Sequence, residues 1–205
     1  MIGVIFATMA EAGPFLALGH AVQFDNEALR LFKVPALPRI LVTISGMGKV
    51  AAAVACHAQI REFKVDEVVN AGACGALQPE PGYAPGSVFC VATAVEGDHE
   101  VPGEEPRPII SDGKIDWDLR AARLITCDRP VFDVETRRAL SAKADLVDME
   151  GAAIARVAAM YQTPWTMVKG VTDGAGPLDR AALYANLAGV SETIGTLLWE
   201  RFKTL

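Results

Sequence analysis

Apolar and polar positions along this chain alternate between two rhythms. Ile2 to Ala7, "PRILVTIS", "VDEVVNAG" and the longer "GSVFCVATAVEGD" are apolar runs of strand length, the pattern of strands buried on both faces. "GKVAAAVACHAQIREF" is Ala-rich and predicts a helix with an apolar stripe at Val50, Val54, His57 and Ala58. A short helix is expected from Met9, and a hairpin over "HAVQFDNEALRLFKV" turning at Asp25-Asn26. Farther along, "ARLITC", "DLVDM" and "PWTMVKGVTD" read as strands. "DVETRRALSAKA", with Asp133 as N-cap, and "EGAAIARVAAMYQ" read as helices. A long last helix, "LDRAALYANLAGVSETIGTLLWERF", turns Leu183, Leu187, Val190, Ile194, Leu197 and Leu198 inward. His99 to Asp118 is rich in Pro, Gly and acid and reads as a long irregular loop, of the kind that forms a lid.

Strands alternating with helices predict a mixed or largely parallel sheet with helices on both sides. No linker or internal repeat divides the chain, so residues 1–205 read as one domain. In such sheets ligands sit beyond the carboxyl ends of the strands. Those ends hold Thr8 to Glu11, "SGMGK", "NAGACG", Asp148-Met149-Glu150 and Thr172-Asp173. Each has a purely structural alternative: Glu11 and Glu150 as first-turn acids, Asp173 as a turn former before Gly174. Three carboxylates at successive strand ends favour a shared site over three separate accidents. "GMGK" lacks the spacing of a phosphate-binding P-loop, and the first strand carries no G-x-G-x-x-G dinucleotide fingerprint.

Composition narrows the classes further. With 205 residues, 51% hydrophobic and 21% charged, the chain can build one sizeable core. A net charge of −6 without a run of Lys or Arg argues against nucleic acid or an anionic membrane as partner, and leaves a small ligand open. The apolar opening segment lacks a positive start and is interrupted by Glu11, so a buried strand is expected there rather than a signal peptide. No apolar stretch is long enough to predict a spanning helix. The four cysteines form no C-x-x-C pair and the three histidines extend no ligand pattern, which predicts reduced thiols in a cytoplasmic protein and no metal site.

The segments "IGVIFATMAEAGPFL", "ISGMGKVAAAVA", "VVNAGACGAL" with "PGSVFCVATAVEGD", "ADLVDMEGAAIARVA" and "VKGVTD" together resemble the nucleoside phosphorylase superfamily. The likeness is greatest to its hydrolytic branch, the methylthioadenosine/S-adenosylhomocysteine nucleosidases. The resemblance implies a three-layer α/β/α sandwich around a central mixed sheet, a homodimer, no cofactor, and a small-molecule nucleoside as substrate. It places Glu11 where water is activated, Met149 and Glu150 where the ribose is held, and Asp173 where the purine is protonated at N7. It also sets Ala73, Cys74, Gly75, Val131 and Lys169 against the substrate. These roles suit the chemistry. Cleaving an N-glycosidic bond creates a cationic sugar and a poor leaving group, so one acid must protonate the base while a carboxylate serves water and sugar.

Three departures bear on the substrate. Ala73 stands where the nucleosidases carry serine, and Lys169 where they carry arginine. Pro130 and Val131, in "TCDRPVF", fall at the base-stacking and base-edge positions, with Phe132 adjacent. Two other readings stay open at this point: a phosphate-dependent phosphorylase, and a nucleoside-binding protein without catalysis.

Overall fold

The computed structural model describes residues 1–205 other than 25–28, 100–101, 104–105 and 176–179. In chain order the elements are β1 (Ile2–Phe6), α1 (Met9–Leu18), β2 (Val22–Phe24), β3 (Arg30–Lys33), β4 (Ile40–Ile44), α2 (Lys49–Arg61), β5 (Glu67–Ala76), β6 (Val88–Glu96), β7 (Ile109–Ile110), β8 (Ala121–Thr126), α3 (Val134–Ser141), β9 (Leu146–Asp148), α4 (Gly151–Met160), β10 (Trp165–Asp173) and α5 (Arg180–Phe202). The turn expected at Asp25-Asn26 and the start of the last helix at Leu178 lie outside the described residues.

All the described strands join one mixed sheet. β1 runs parallel to β4 and β5, and β5 parallel to β10. β10 pairs antiparallel with β6, β6 parallel with β8, and β8 parallel with β9. β9 then returns antiparallel to β5 at Gly75 and Ala76. Strands β5, β10, β6, β8 and β9 thereby close into a ring, and β1, β4, β3 and β2 extend from it. Closure brings the carboxyl ends of β5, β8, β9 and β10 close together, which is how residues far apart in sequence come to share one rim.

Helices cover both faces, giving the three-layer α/β/α arrangement. In β1, Val4 and Phe6 point to the side of α1 and α5, where Phe15, Val190, Ile194 and Leu198 bury them. Ile5 points the other way, to α2 and α4, against Ala52, Ala55, Ile154 and Ala158. The alternation of strand side chains thus feeds two cores from one fully buried strand. The inner stripe expected for α5 is formed by Val190, Ile194 and Leu198, with Leu197 half-buried.

Two expectations are corrected. Three positions of the stripe proposed for α2 face outward: Val50 is 80% and Val54 51% exposed, and His57 is exposed, while Ala58 is buried as expected. The buried face is Ala52, Ala55, Cys56, Ala58 and Gln59. Both stripes have helical spacing, and the smaller side chains face inward because they let α2 lie close against α4 and the sheet. The described part of the expected lid, from residue 106 onward, is no lid. Lys114 N donates to Glu67 Oε1 (2.7 Å), Ser111 Oγ to Trp165 O (2.9 Å) and Trp117 Nε1 to Thr166 Oγ1 (3.1 Å). These anchors lie at the starts of β5 and β10, the end of the sheet opposite the strand-end rim, and Ile115 and Trp117 are buried there.

Candidate active site

The first carboxylate is set by a helix start. Thr8 caps α1 and Glu11 closes a capping box, its Oε2 accepting from Thr8 N and Oγ1 (both 2.8 Å). Its other oxygen, Oε1, reaches into the sheet and accepts from Ala73 N of β5 (2.9 Å). That reach requires Gly72: a Cβ there would lie 2.6 Å from Glu11 Oε1. Glu11 is 8% exposed, so it is not the solvated first-turn acid of the structural alternative.

The second carboxylate is held between a turn and a helix. Gly48 adopts a positive φ (95°) just before α2 and turns its N–H toward Glu150 Oε1, 2.8 Å away. Glu150 is the N-cap residue of α4, yet its side chain makes no capping bond and faces inward, 7% exposed. Burial, and then the neighbouring Asp148, push its carboxyl up to about 7 from an ordinary 4.5, against the pull of Lys169 and of the Gly48 N–H. The capping is left to its neighbours. Asp148 Oδ2 accepts from Gly151 N (2.8 Å) and Thr126 Oγ1 from Ala152 N (2.8 Å). The two acids of "DMEG" therefore divide the work: Asp148 ties the strand to the helix, and Glu150 faces the open space.

The third carboxylate ends β10, where the register against β5 shifts between Val171 and Asp173. Thr172 Oγ1 lies 2.9 Å from Asp173 Oδ1 and 3.2 Å from Cys74 O. Asp173 Oδ2 is paired with the guanidinium of Arg137, a buried side chain from α3.

Glu11, Glu150 and Asp173 line one cavity of about 230 Å³ at the strand-end rim. Ala73, Cys74, Gly75, Val131 and Met149 line it too, as do Pro130 and Phe132. Burial pushes the Cys74 thiol well up, so it contributes an uncharged wall and not a thiolate. Lys169 is the exception among the expected substrate contacts. It lies behind the wall, its Nζ 2.7 Å from Asp148 Oδ2. Burial disfavours its charge, but Asp148, Glu150 and Glu11 outweigh that and hold its pKa above the ordinary lysine value.

Four contributors were not expected from the sequence. Leu183 and Leu187 read as helix core, but they line the cavity. Met47 lines it from the turn before α2. Arg137 sits beside Arg138 in a short polar helix, and no local pattern distinguishes the buried one from the exposed one.

The model of the phosphorylase superfamily matches residues 1–200. The chain belongs to the phosphorylase superfamily. Among its superfamily relatives, a 5′-methylthioadenosine nucleosidase of Arabidopsis thaliana is 33% identical over 140 residues, 63% of this chain and 52% of the relative. A 5′-methylthioadenosine/S-adenosylhomocysteine nucleosidase of the same plant is 29% identical over 140 residues, 63% of this chain and 55% of the relative. The chain thus spans about half the length of these curated relatives. A futalosine hydrolase mutant of Helicobacter pylori superposes with a TM-score of 0.91 at 20% identity, covering 100% of this chain and 99% of that one. A 5′-methylthioadenosine/S-adenosylhomocysteine nucleosidase of the same bacterium, solved in complex with a substituted pyrrolidinol, gives a TM-score of 0.90 at 20% identity over 100% of this chain and 98% of that one. The fold of this superfamily member is therefore nucleoside phosphorylase-like.

Proposed function

We propose that this protein is a nucleosidase that hydrolyses the N-glycosidic bond of a purine-type nucleoside, probed first among 5′-modified ones. The observation that carries the reading is the meeting of Glu11, Glu150 and Asp173 around one cavity. Asp173 gives a proton to the base as the bond from the sugar carbon to nitrogen breaks and its electron pair goes to the base. Water adds to the sugar carbon, and its proton passes to Glu11. Glu150 accepts hydrogen bonds from the ribose hydroxyls beside Met149. Atoms and charge balance: nucleoside and water become free base and ribose, and solvent returns each acid to its starting state. General acid-base help of this kind contributes on the order of 10²–10⁴-fold per group.

Hydrolysis is favoured over phosphorolysis by the charge around the cavity. Among the described residues lining it, none is a lysine or arginine. Among the described residues, Lys49 is paired with Asp98 and Asp128, Lys169 with Asp148, and Arg137 with Asp173. A phosphate dianion would meet carboxylates and no lysine or arginine among the described lining residues. Homodimer formation has support in Val50 and Val54, both exposed on α2. A reducing, cytoplasmic setting has support in four unpaired cysteines.

The test is product analysis. The protein is incubated with unmodified and 5′-modified purine nucleosides, with and without phosphate. Free ribose in the absence of phosphate is expected. Ribose 1-phosphate formed only with phosphate would establish the phosphorylase reading, and binding without turnover the non-catalytic one. Asp173→Asn is expected to keep binding and lose turnover by roughly 10²–10⁴-fold.

A further inference from the structure

Helix α3 has a single fully buried side chain, and that side chain is an arginine. Arg137 is 2% exposed, whereas every other residue of the helix is exposed or half-buried. Burying a guanidinium is costly unless its donors are matched, and here they are. Nε donates to Val131 O (2.8 Å), and Nη1 to Gly174 O and, more weakly, to Ala76 O (3.4 Å). Nη2 donates to Asp173 Oδ2. One side chain therefore ties together the Pro130–Phe132 wall, the end of β5, the turn after β10 and the carboxylate of Asp173.

We propose that Arg137 is a positioning residue for base departure, acting through Asp173. The inference rests on the nucleosidase reading above. With Oδ2 engaged by the guanidinium, Oδ1, 2.9 Å from the Thr172 hydroxyl, is the oxygen that carries the proton the base receives. When the bond to the sugar breaks and that proton moves to the base, Asp173 becomes a carboxylate in a half-buried place. Arg137 then meets the new negative charge without rearrangement, as a preorganised partner should. Its bond to Val131 O fixes the base-edge wall relative to the same carboxylate, so the base and its proton donor are held in one frame. The helix that brings Arg137 adds little else to the core.

The test compares the wild type with Arg137→Lys, Arg137→Met, Asp173→Asn and the Arg137→Met/Asp173→Asn double variant. Two substrates are used: the best purine nucleoside and the riboside with the same 5′ group carrying 4-nitrophenolate, which leaves without being protonated. Arg137→Met is expected to lower kcat on the nucleoside by about 100-fold with KM within a few-fold. Turnover of the nitrophenyl riboside should change less than about fivefold, and added guanidinium should restore part of the lost nucleoside activity. In the Asp173→Asn background, removing Arg137 should cost little more, because both act as one unit. Should Arg137→Met fail to fold, Arg137→Lys carries the test: it keeps the charge but not the fork, and is expected to lose roughly tenfold on the nucleoside alone. Equal losses on both substrates, or unchanged nucleoside kcat in a folded variant, overturn the inference while leaving the nucleosidase reading intact. A wild type that releases neither base nor sugar overturns both.

Discussion

Lys169 Nζ lies 2.7 Å from Asp148 Oδ2, and both side chains are almost wholly buried, 2% and 1% exposed. Asp148 lines the cavity and Lys169 stands behind it, with Asp148 also accepting from Thr126 Oγ1 (2.5 Å) and Gly151 N. Every polar partner of Asp148 comes from a different element, so the pair locks β8, β9, α4 and β10 into one rim.

Removing one partner leaves the other charge buried and alone. Lys169→Met is expected to destabilise the protein by about 3–5 kcal/mol. For a domain of this size that is a fall of roughly 10 °C in Tm. Combining it with Asp148→Leu should recover part of the loss, since an apolar pair avoids the stranded charge. Thermal unfolding of the two variants decides it; a Lys169→Met protein as stable as wild type would show that the ion pair is not structural.

The burial of Glu150 costs the fold stability at neutral pH. Its carboxyl is pushed up to about 7 in the folded chain. The folded state therefore holds a proton that the unfolded state has lost between pH 4.5 and 7. The favourable contribution is complete below the lower value and is lost as pH rises through the upper one. Glu150→Gln removes this loss, so its Tm advantage over wild type should be small near pH 5 and grow to a plateau above pH 8, worth at most about 3 kcal/mol. Turnover should fall at the same time through weaker ribose binding. Melting curves across pH read the first effect and steady-state kinetics the second; a Tm difference that shrinks as pH rises would reverse the argument.

Glu11 depends on an absent side chain. Gly72→Ala places a methyl 2.6 Å from Glu11 Oε1 and drives the carboxylate off Ala73 N. Misplacement of this order is expected to lower kcat by roughly 10–100-fold, with a smaller change in KM. The cost in stability should be about 1–3 kcal/mol. Unaltered kcat in this variant would mean that the seat of Glu11 does not matter to the reaction.

The outer face of α2 is the surface proposed above for contact between two copies of this chain. Val50→Glu with Val54→Glu introduces two charges where apolar groups stand exposed and should yield a folded monomer. Light scattering reads the mass directly, and an unchanged dimer would move the contact elsewhere.

Apart from the short β7, the order and kind of elements were legible in the amino-acid sequence, because strand and helix announce themselves in the spacing of apolar residues over a few positions. Ile2–Phe6, Lys49–Arg61, Gly151–Met160 and Trp165–Asp173 were all legible in that way, and so was the Asp133 cap. The strand-end rule singled out Glu11, Glu150 and Asp173 without coordinates. Tertiary structure decided what local spacing leaves degenerate. On α2 two stripes compete, and close packing chose the alanines over the valines. In "RR" of α3, only the placement of the helix over the end of β5 buries Arg137 and leaves Arg138 in water. Lys169 and Asp148 are 21 residues apart and became partners only because ring closure sets β10 and β9 on either side of β5. Periodicity is a property of neighbouring residues, whereas charge pairing and burial depend on distances that the chain sets only once the sheet has closed.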